Sequence, residues 1–318
     1  GSWNTASGYY ALGVGAACCE NTAMGFKSGM GVNGGKHNSA FGFCALHATG
    51  TKCLNTAIGH KSLASLTTGC HNTALGYGTL CNSTTACDNT AAGYGALGAN
   101  TTGHDNVAVG MAALVANTTA NENVAVGERA LCSNTTGTTN VSIGQQSSAK
   151  NTTGTGNVIV GKSGLHDNTT GNENTGIGHK VLNANTTACY NTGVGACAIL
   201  CNTTGNQLVA NGFRALTKNT TGSENTASGA YALSCNTTGC ENTAFGRKAM
   251  CSNTTGHNNA AFGQAALPQN TTGIENVAVG NRAMVLNTTG CWNTAVGAKA
   301  LCANTTACYN VAVGGCSL

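Results

Sequence analysis

The chain has 318 residues, of which 8 % are charged and 5 % aromatic, with a single proline and a formal net charge of +4. The charges are spread evenly, which excludes a nucleic-acid binder that works through clustered Lys and Arg. No apolar run approaches the roughly 20 residues of a membrane-spanning helix.

Read from its first residues, the sequence repeats. Asn opens a 17-residue unit at Asn4, Asn21 and Asn38 and so on to Asn310, nineteen units in all, with Leu208 in one of the Asn places. Gly stands four residues after each opening position, from Gly8 to Gly314, without exception. A fixed period over a whole chain marks a solenoid, in which each unit buries itself only against its neighbours. Residues 1–318 therefore read as one repeat domain. Gly, Ala, Asn and Thr dominate the composition, yet strict register argues against disorder.

Numbering the unit from its Asn, positions 2 to 5 read Thr/Val, Ala, an apolar residue and Gly. β-branched and aromatic residues at position 4 suit a pleated, half-buried strand. Positions 8 and 9 read Ala-Leu, and positions 12 to 15 read Asn-Thr-Thr-Gly, a turn former. Each unit is then strand, bend, short strand and turn. The fold class that follows is all-β: a parallel β-solenoid (β-roll or β-helix) of about nineteen coils stacked about 4.8 Å apart. Position 4 with position 9 is the expected core, as columns such as Val109, Val126, Ile143 and Val160 facing Leu114 and Leu131. Asn at positions 1 and 12 is expected to stack in hydrogen-bonded ladders.

Positions 3 and 5 share the other strand face and carry only small residues, as in Ala108, Gly110, Ala125 and Gly127. Such a stripe fits the close approach of another chain's backbone. It fits equally a bend that needs Gly beside a corner narrow enough for Ala.

The Val-Ala-Val-Gly stretch at 124–127 and the Val-Ser-Ile-Gly stretch at 141–144 resemble the head repeats of YadA-like trimeric adhesins. The full NTAxGxxALxxNTTGxx unit is similar to the 17-residue arrays of bacterial and phage tail-fibre-type proteins. The resemblance covers the whole chain. It implies a trimeric, parallel β-roll shaft or head that works in attachment, and it carries no catalytic residue across. The chain differs from those arrays in having Cys where they tend to have Tyr.

Eighteen cysteines keep to a few columns. Positions 10 or 11 and 16 flank the Asn-Thr-Thr turn, so Cys81 with Cys87, Cys235 with Cys240 and Cys302 with Cys308 are candidate loop-closing disulfides. Cys53 and Cys70 share position 16 in consecutive coils and are a candidate cross-rung pair. An even, register-locked set favours an oxidising, extracellular setting. The alternative is Cys as a small apolar filler. Tight, convergent metal spacing is absent, and no cofactor is implied. The Asn-Thr-Thr triplet also fits an N-glycosylation acceptor, as at Asn134, Asn236 and Asn270, against the plainer reading of a turn ladder.

Basic residues recur at position 7, such as Lys180, Arg214, Lys248, Arg282 and Lys299. Acidic residues recur at position 17, such as Glu122, Glu173, Glu224 and Glu275. They read as solvated edges or as ion pairs between neighbouring chains. Every candidate nucleophile or base is one copy of a periodic set, so nothing suggests an enzyme.

The expected role is structural: a rigid extracellular fibre or filament, at a cell or virion surface, built from copies of the chain. Uncapped coil ends predict head-to-tail stacking, lateral trimerisation or both. The alternative is the shaft of a receptor-binding tail fibre or surface adhesin that meets a cell-surface receptor or glycan. Ice binding is a distant third, because adjacent Thr such as Thr135 and Thr136 face apart.

Overall fold

The computed structural model describes residues 1–14 and 18–317. Every unit contributes one three-residue strand made of its positions 2 to 4, from β1 (Thr5–Ser7) through β9 (Val141–Ile143) and β10 (Val158–Val160) to β19 (Val311–Val313), and no helix occurs among the described residues. The chain is a parallel β-solenoid. It divides into two compact units, Gly1–Asn157 and Val158–Leu318.

In the first unit each strand pairs in parallel with the strand 17 residues on, like against like, as in Val107↔Val124, Ala108↔Ala125 and Val109↔Val126. The second unit repeats the scheme, with Val277↔Thr294, Ala278↔Ala295 and Val279↔Val296. Gly at position 5 then bends the chain. At Gly110 φ is +130°, and a Cβ there would lie 2.6 Å from the carbonyl oxygen of Gly127 in the next coil. The neighbour is the same chain one rung along, and Ala108 and Ala125 beside it are buried inside the coil, so the small-residue stripe is a bend beside a narrow interior.

Positions 8 and 9 were expected to form a short strand and instead form tight turns. Ala113 N–H donates to Gly110 O at 3.3 Å, and Asn117 N–H to Leu114 O at 3.1 Å. The chain turns its corners through left-handed residues that are not glycine, as at Ala112, Leu114 and Glu122, with φ of 54°, 50° and 58°. Each costs about 1–2 kcal/mol. Rung-to-rung bonds such as Leu114 N–H to Ala130 O at 3.0 Å help offset it, as does burial of the Leu side chain, about 1.5–3 kcal/mol.

The core is half of what the pattern suggests. Leu114 and Leu131 are fully buried, as are Ala108, Ala125, Ala113 and Ala130. Position 4 is not core: Val109, Ile143 and Val160 stand 38–39 % exposed, and Val126 is half-buried. Strand residues alternate faces, and a 17-residue coil has room inside only for Ala from the strand and Ala-Leu from the opposite side. The large strand residue therefore points out and the small one in, the reverse of the expected assignment.

Volume inside a coil is conserved by exchange between positions. Ile159 takes an Ala place at position 3, and Gly164 then takes the facing Ala place at position 8; a Cβ on Gly164 would lie 2.6 Å from Ile159 Cγ2. One coil on, Val181 at position 8 is accommodated by Gly176 and Gly193 at position 3. Where Ser142, Ser147 and Ser148 replace Ala, Ala and Leu, the buried hydroxyls bond one another at 2.9 and 2.7 Å.

The Asn ladders form as expected. Asn106 Nδ2 donates to Asn89 Oδ1 at 3.1 Å and to Ala120 O at 2.9 Å, while its backbone N–H donates to the same Oδ1 at 3.0 Å. At position 12, Asn117 Nδ2 donates to Asn100 Oδ1 at 2.9 Å and Ala120 O at 3.0 Å. Leu208 keeps the backbone half of the ladder, its N–H reaching Asn191 Oδ1 at 2.9 Å. The Asn134, Asn236 and Asn270 side chains are part of these ladders and fully buried. Asn134 Nδ2 donates to Asn117 Oδ1 and Gly137 O at 3.2 and 2.8 Å, and its Oδ1 accepts from Asn151 Nδ2. In the folded chain none of the three can accept a glycan.

Early coils lack Asn at position 12, where Thr49 and Leu66 stand. Lys52, fully buried, fills the break: its Nζ donates to Leu66 O at 2.9 Å and also to Ala48 O. Burial holds its pKa down at about 7.

Candidate interaction face

Turning position 4 outward gives each unit an exposed apolar column along its strands. In the first it runs through Ile58, Leu75, Val109 and Ile143; in the second through Val160, Ile177, Val194, Phe245, Phe262 and Val296. Phe245 and Phe262 stack at 5.4 Å between ring centroids. Ala92 interrupts the first column, and Asn211 and Ser228 interrupt the second between Val194 and Phe245; exposed apolar side chains on a strand face make this a candidate interaction surface.

The column has charged rims of opposite sign. Position 17 precedes the strand and carries Glu173, Glu224, Glu241 and Glu275 in the second unit. Position 7 follows the Gly bend and carries Lys180, Arg214, Lys248, Arg282 and Lys299. Among the described residues Lys180, Lys248, Arg282 and Lys299 have no ion-pair partner. In the first unit the position-17 rim partly pairs with itself, through His37 with Glu20 at 2.8 Å and His71 with Asp88 at 3.3 Å.

A feature not read from the sequence lies at position 6 of the first unit. Tyr9, Phe26, Phe43, His60, Tyr77 and Tyr94 stack face to face in six consecutive coils, with centroids 4.8–5.4 Å apart and planes within 12°. The rung spacing places rings at stacking distance, and each pair adds about 0.5–1.5 kcal/mol beyond area burial. The signal was available, an aromatic or His at every seventeenth residue from Tyr9, but the column ends at Met111 and so is not a property of the average unit.

Beside the ladder, Gly78 and Gly95 replace the usual position-7 side chain and open a shallow groove of about 350 Å³, lined also by Cys81, Asn82 and Val115.

The cysteine columns are occupied by thiols, the eight candidate disulfide residues included. Cys81 and Cys87 do not meet. Cys81 lines the groove beside Tyr77 and donates to Gly98 O at 3.4 Å, whereas Cys87 Sγ lies 3.7 Å from Thr85 O. Cys240 and Cys308 have the same setting as Cys87, at 3.4 Å from Thr238 O and 3.7 Å from Thr306 O. Cys53 and Cys70 do stack on consecutive rungs, with thiols close enough to interact. Among the described residues no three His, Cys, Asp or Glu side chains converge on a metal position.

The Thr hydroxyls at position 13 are spent on the ladder, as in Thr135 Oγ1 to Thr152 O at 3.1 Å. Thr at position 14, such as Thr119, Thr136 and Thr153, is exposed in successive coils. In comparisons with known proteins, no family model and no curated protein matches this chain.

Proposed function

We propose that the chain is a structural protein that assembles side by side with copies of itself into a rigid extracellular fibre. The observation that carries this reading is the outward apolar column at position 4, between an acidic rim at position 17 and a basic rim at position 7. Two such faces brought together by a two-fold axis parallel to the strand stack set the acidic rim of one copy against the basic rim of the other. An antiparallel pairing would set like against like, which is destabilising. Complementary rims of this kind favour parallel association, whether the copies number two or, with rims meeting in turn around an axis, three.

Attachment follows as a second reading from the likeness of the repeat to tail-fibre and adhesin arrays; lateral assembly of a shaft would serve it equally. Both readings place the protein at a cell or virion surface.

The test is the mass of the purified chain by light scattering, against concentration and salt. The expected result is a discrete multimer, shifted toward monomer by Phe245→Lys with Phe262→Lys. A monomer at all concentrations for the parent chain would overturn the reading. Rescue separates the rims from bulk hydrophobicity: reversing Lys248 and Arg282 to Glu is expected to weaken assembly, and adding Glu224→Lys with Glu241→Lys to restore it.

A further inference from the structure

The position-16 cysteines occur in two settings. Cys189 and Cys240 are alone in their column, with Asn172 and Asn206, or Ser223 and His257, on the neighbouring rungs. Cys53, Cys70 and Cys87 in the first unit, and Cys291 and Cys308 in the second, occupy consecutive rungs.

Cys70, Cys87, Cys189, Cys240, Cys291 and Cys308 share one conformation. The sulfur lies near the carbonyl two residues back, at 3.7 Å for Cys70 and Cys87 and 3.3 and 3.7 Å for Cys291 and Cys308. It accepts the backbone N–H of position 16 on the preceding rung: Cys70 N–H to Cys87 Sγ at 3.2 Å, and Cys291 N–H to Cys308 Sγ at 3.1 Å. Neighbouring sulfurs are therefore related by one rung, about 4.8 Å.

That spacing decides between two chemistries. A disulfide needs Cβ atoms roughly 3.5–4.5 Å apart. In-register stacking holds parallel Cα–Cβ bonds about 4.8 Å apart, so a cross-rung bond at Cys53–Cys70 would require the rungs to shift. A linear sulfur–metal–sulfur bridge spans twice a metal–thiolate bond of roughly 2.3 Å, close to the rung spacing. Soft thiolate ligands suit Cu(I), Zn and Fe–S clusters; zinc takes four ligands, so a two-thiolate site favours Cu(I). A two-coordinate ion needs no third ligand, and among the described residues no three His, Cys, Asp or Glu side chains converge.

We infer that stacked position-16 thiols, Cys70 with Cys53 or Cys87 and Cys291 with Cys308, are binding sites for a soft, monovalent, two-coordinate cation of the Cu(I) or Ag(I) class. Binding is not a redox step: the ion displaces one proton from each of two thiols, and the two sulfur–metal bonds replace two S–H bonds. The N–H groups aimed at the sulfurs support the resulting thiolates. Burial pushes the Cys70 thiol up, the N–H of Cys53 pulls it down, and the thiols of Cys53 and Cys87 push it up again. In the metal-free column Cys70 is accordingly a protonated thiol, slow to oxidise, and metal affinity rises with pH.

The test is titration of the full-length chain with Cu(I) buffered by a chromogenic chelator that outcompetes single thiols. Two ions per chain are expected, one in each column. Cys70→Ser and Cys291→Ser are each expected to leave one ion and the double variant none, whereas Cys189→Ser and Cys240→Ser still bind two. X-ray absorption on the loaded chain is expected to show two sulfur neighbours per ion. Equal uptake by parent and double variant, three sulfur neighbours, or a Cys53–Cys70 disulfide in protein isolated without reductant would each overturn the assignment. Circular dichroism on every variant separates loss of the site from loss of the fold. Neither the stoichiometry nor the coordination depends on whether copies associate.

Discussion

Ile159 and Gly164 share one slot inside their coil: a Cβ on Gly164 would lie 2.6 Å from Ile159 Cγ2. The pair shows how narrow the interior is. One side chain larger than Ala at position 3 is met by one smaller than Ala at position 8.

Gly164→Ala is therefore expected to destabilise the second unit by about 1–3 kcal/mol, the range for overpacking. Ile159→Ala alone opens a cavity and is expected to cost about 2–5 kcal/mol. The double variant restores the Ala-Ala pairing of the other coils and is expected to be more stable than the sum of the singles predicts. A double-mutant cycle by urea unfolding, followed by hydrogen exchange on peptides from the second unit, measures the coupling. Additive singles would mean the slot relaxes freely.

The Asn ladders give the second prediction. Asn219 Nδ2 donates to Asn202 Oδ1 at 2.9 Å and to Gly222 O at 2.8 Å, and its Oδ1 accepts from Asn236 Nδ2 at 2.8 Å. Asn219→Ala removes three buried hydrogen bonds, although Asn202 Oδ1 keeps the Gly205 N–H and Asn236 Nδ2 keeps Gly239 O, and each bond lost is worth about 0.5–1.5 kcal/mol. Asn219→Asp removes both donations and buries a charge, so it is expected to be the more damaging. Thermal unfolding orders the two. The same ladders predict that expression in a glycosylating host leaves Asn236 unmodified in folded protein, checked by mass spectrometry of the 225–247 peptide.

Period, strand position and ladders are legible in the sequence because each rests on one residue type at one place in every coil. The assignment of faces was not. Val109 looks more like core than Ala108 on hydrophobicity alone, and only the width of a closed 17-residue coil reverses that. Sequence carries the alternation but not the radius. The turns at positions 8 and 9 were hidden for a related reason, since Leu114 at φ 50° is disfavoured locally and is held there by rung bonds that no local signal reports. Of the candidate sites, the cysteine columns were visible, while the separate contacts of Cys81 and Cys87, to Gly98 O and Thr85 O, depend on side-chain placement that the repeat pattern does not carry.

The aromatic ladder offers a third prediction. His60 lies between Phe43 and Tyr77 at 5.0 and 4.8 Å, so His60→Ala splits six rings into stacks of three and two. The two lost contacts are expected to cost about 1–3 kcal/mol at 0.5–1.5 each. Near-ultraviolet circular dichroism is expected to fall with it. His60→Phe, which restores an unbroken stack, is expected to recover both signals.

Lys52 gives the first unit a pH dependence of definite sign. Its folded pKa is held down at about 7 by burial, against an ordinary value of 10.5. Between those values the unfolded chain binds a proton that the folded chain does not, so stability rises with pH across that window and is lost as pH falls toward 7. His47, lowered first by burial and then by Lys27 and Lys52, acts in the same direction but below its ordinary value of 6.5. The two windows are separable. Hydrogen exchange on peptides covering 45–70 is expected to slow from pH 7 to 10 after correction for intrinsic exchange. Lys52→Met keeps the buried stem and removes the titration, so its corrected rates are expected to be flat over that range. A parent chain with flat rates would show that the Lys52 amine stays charged, held by Leu66 O and Ala48 O as a buried cation.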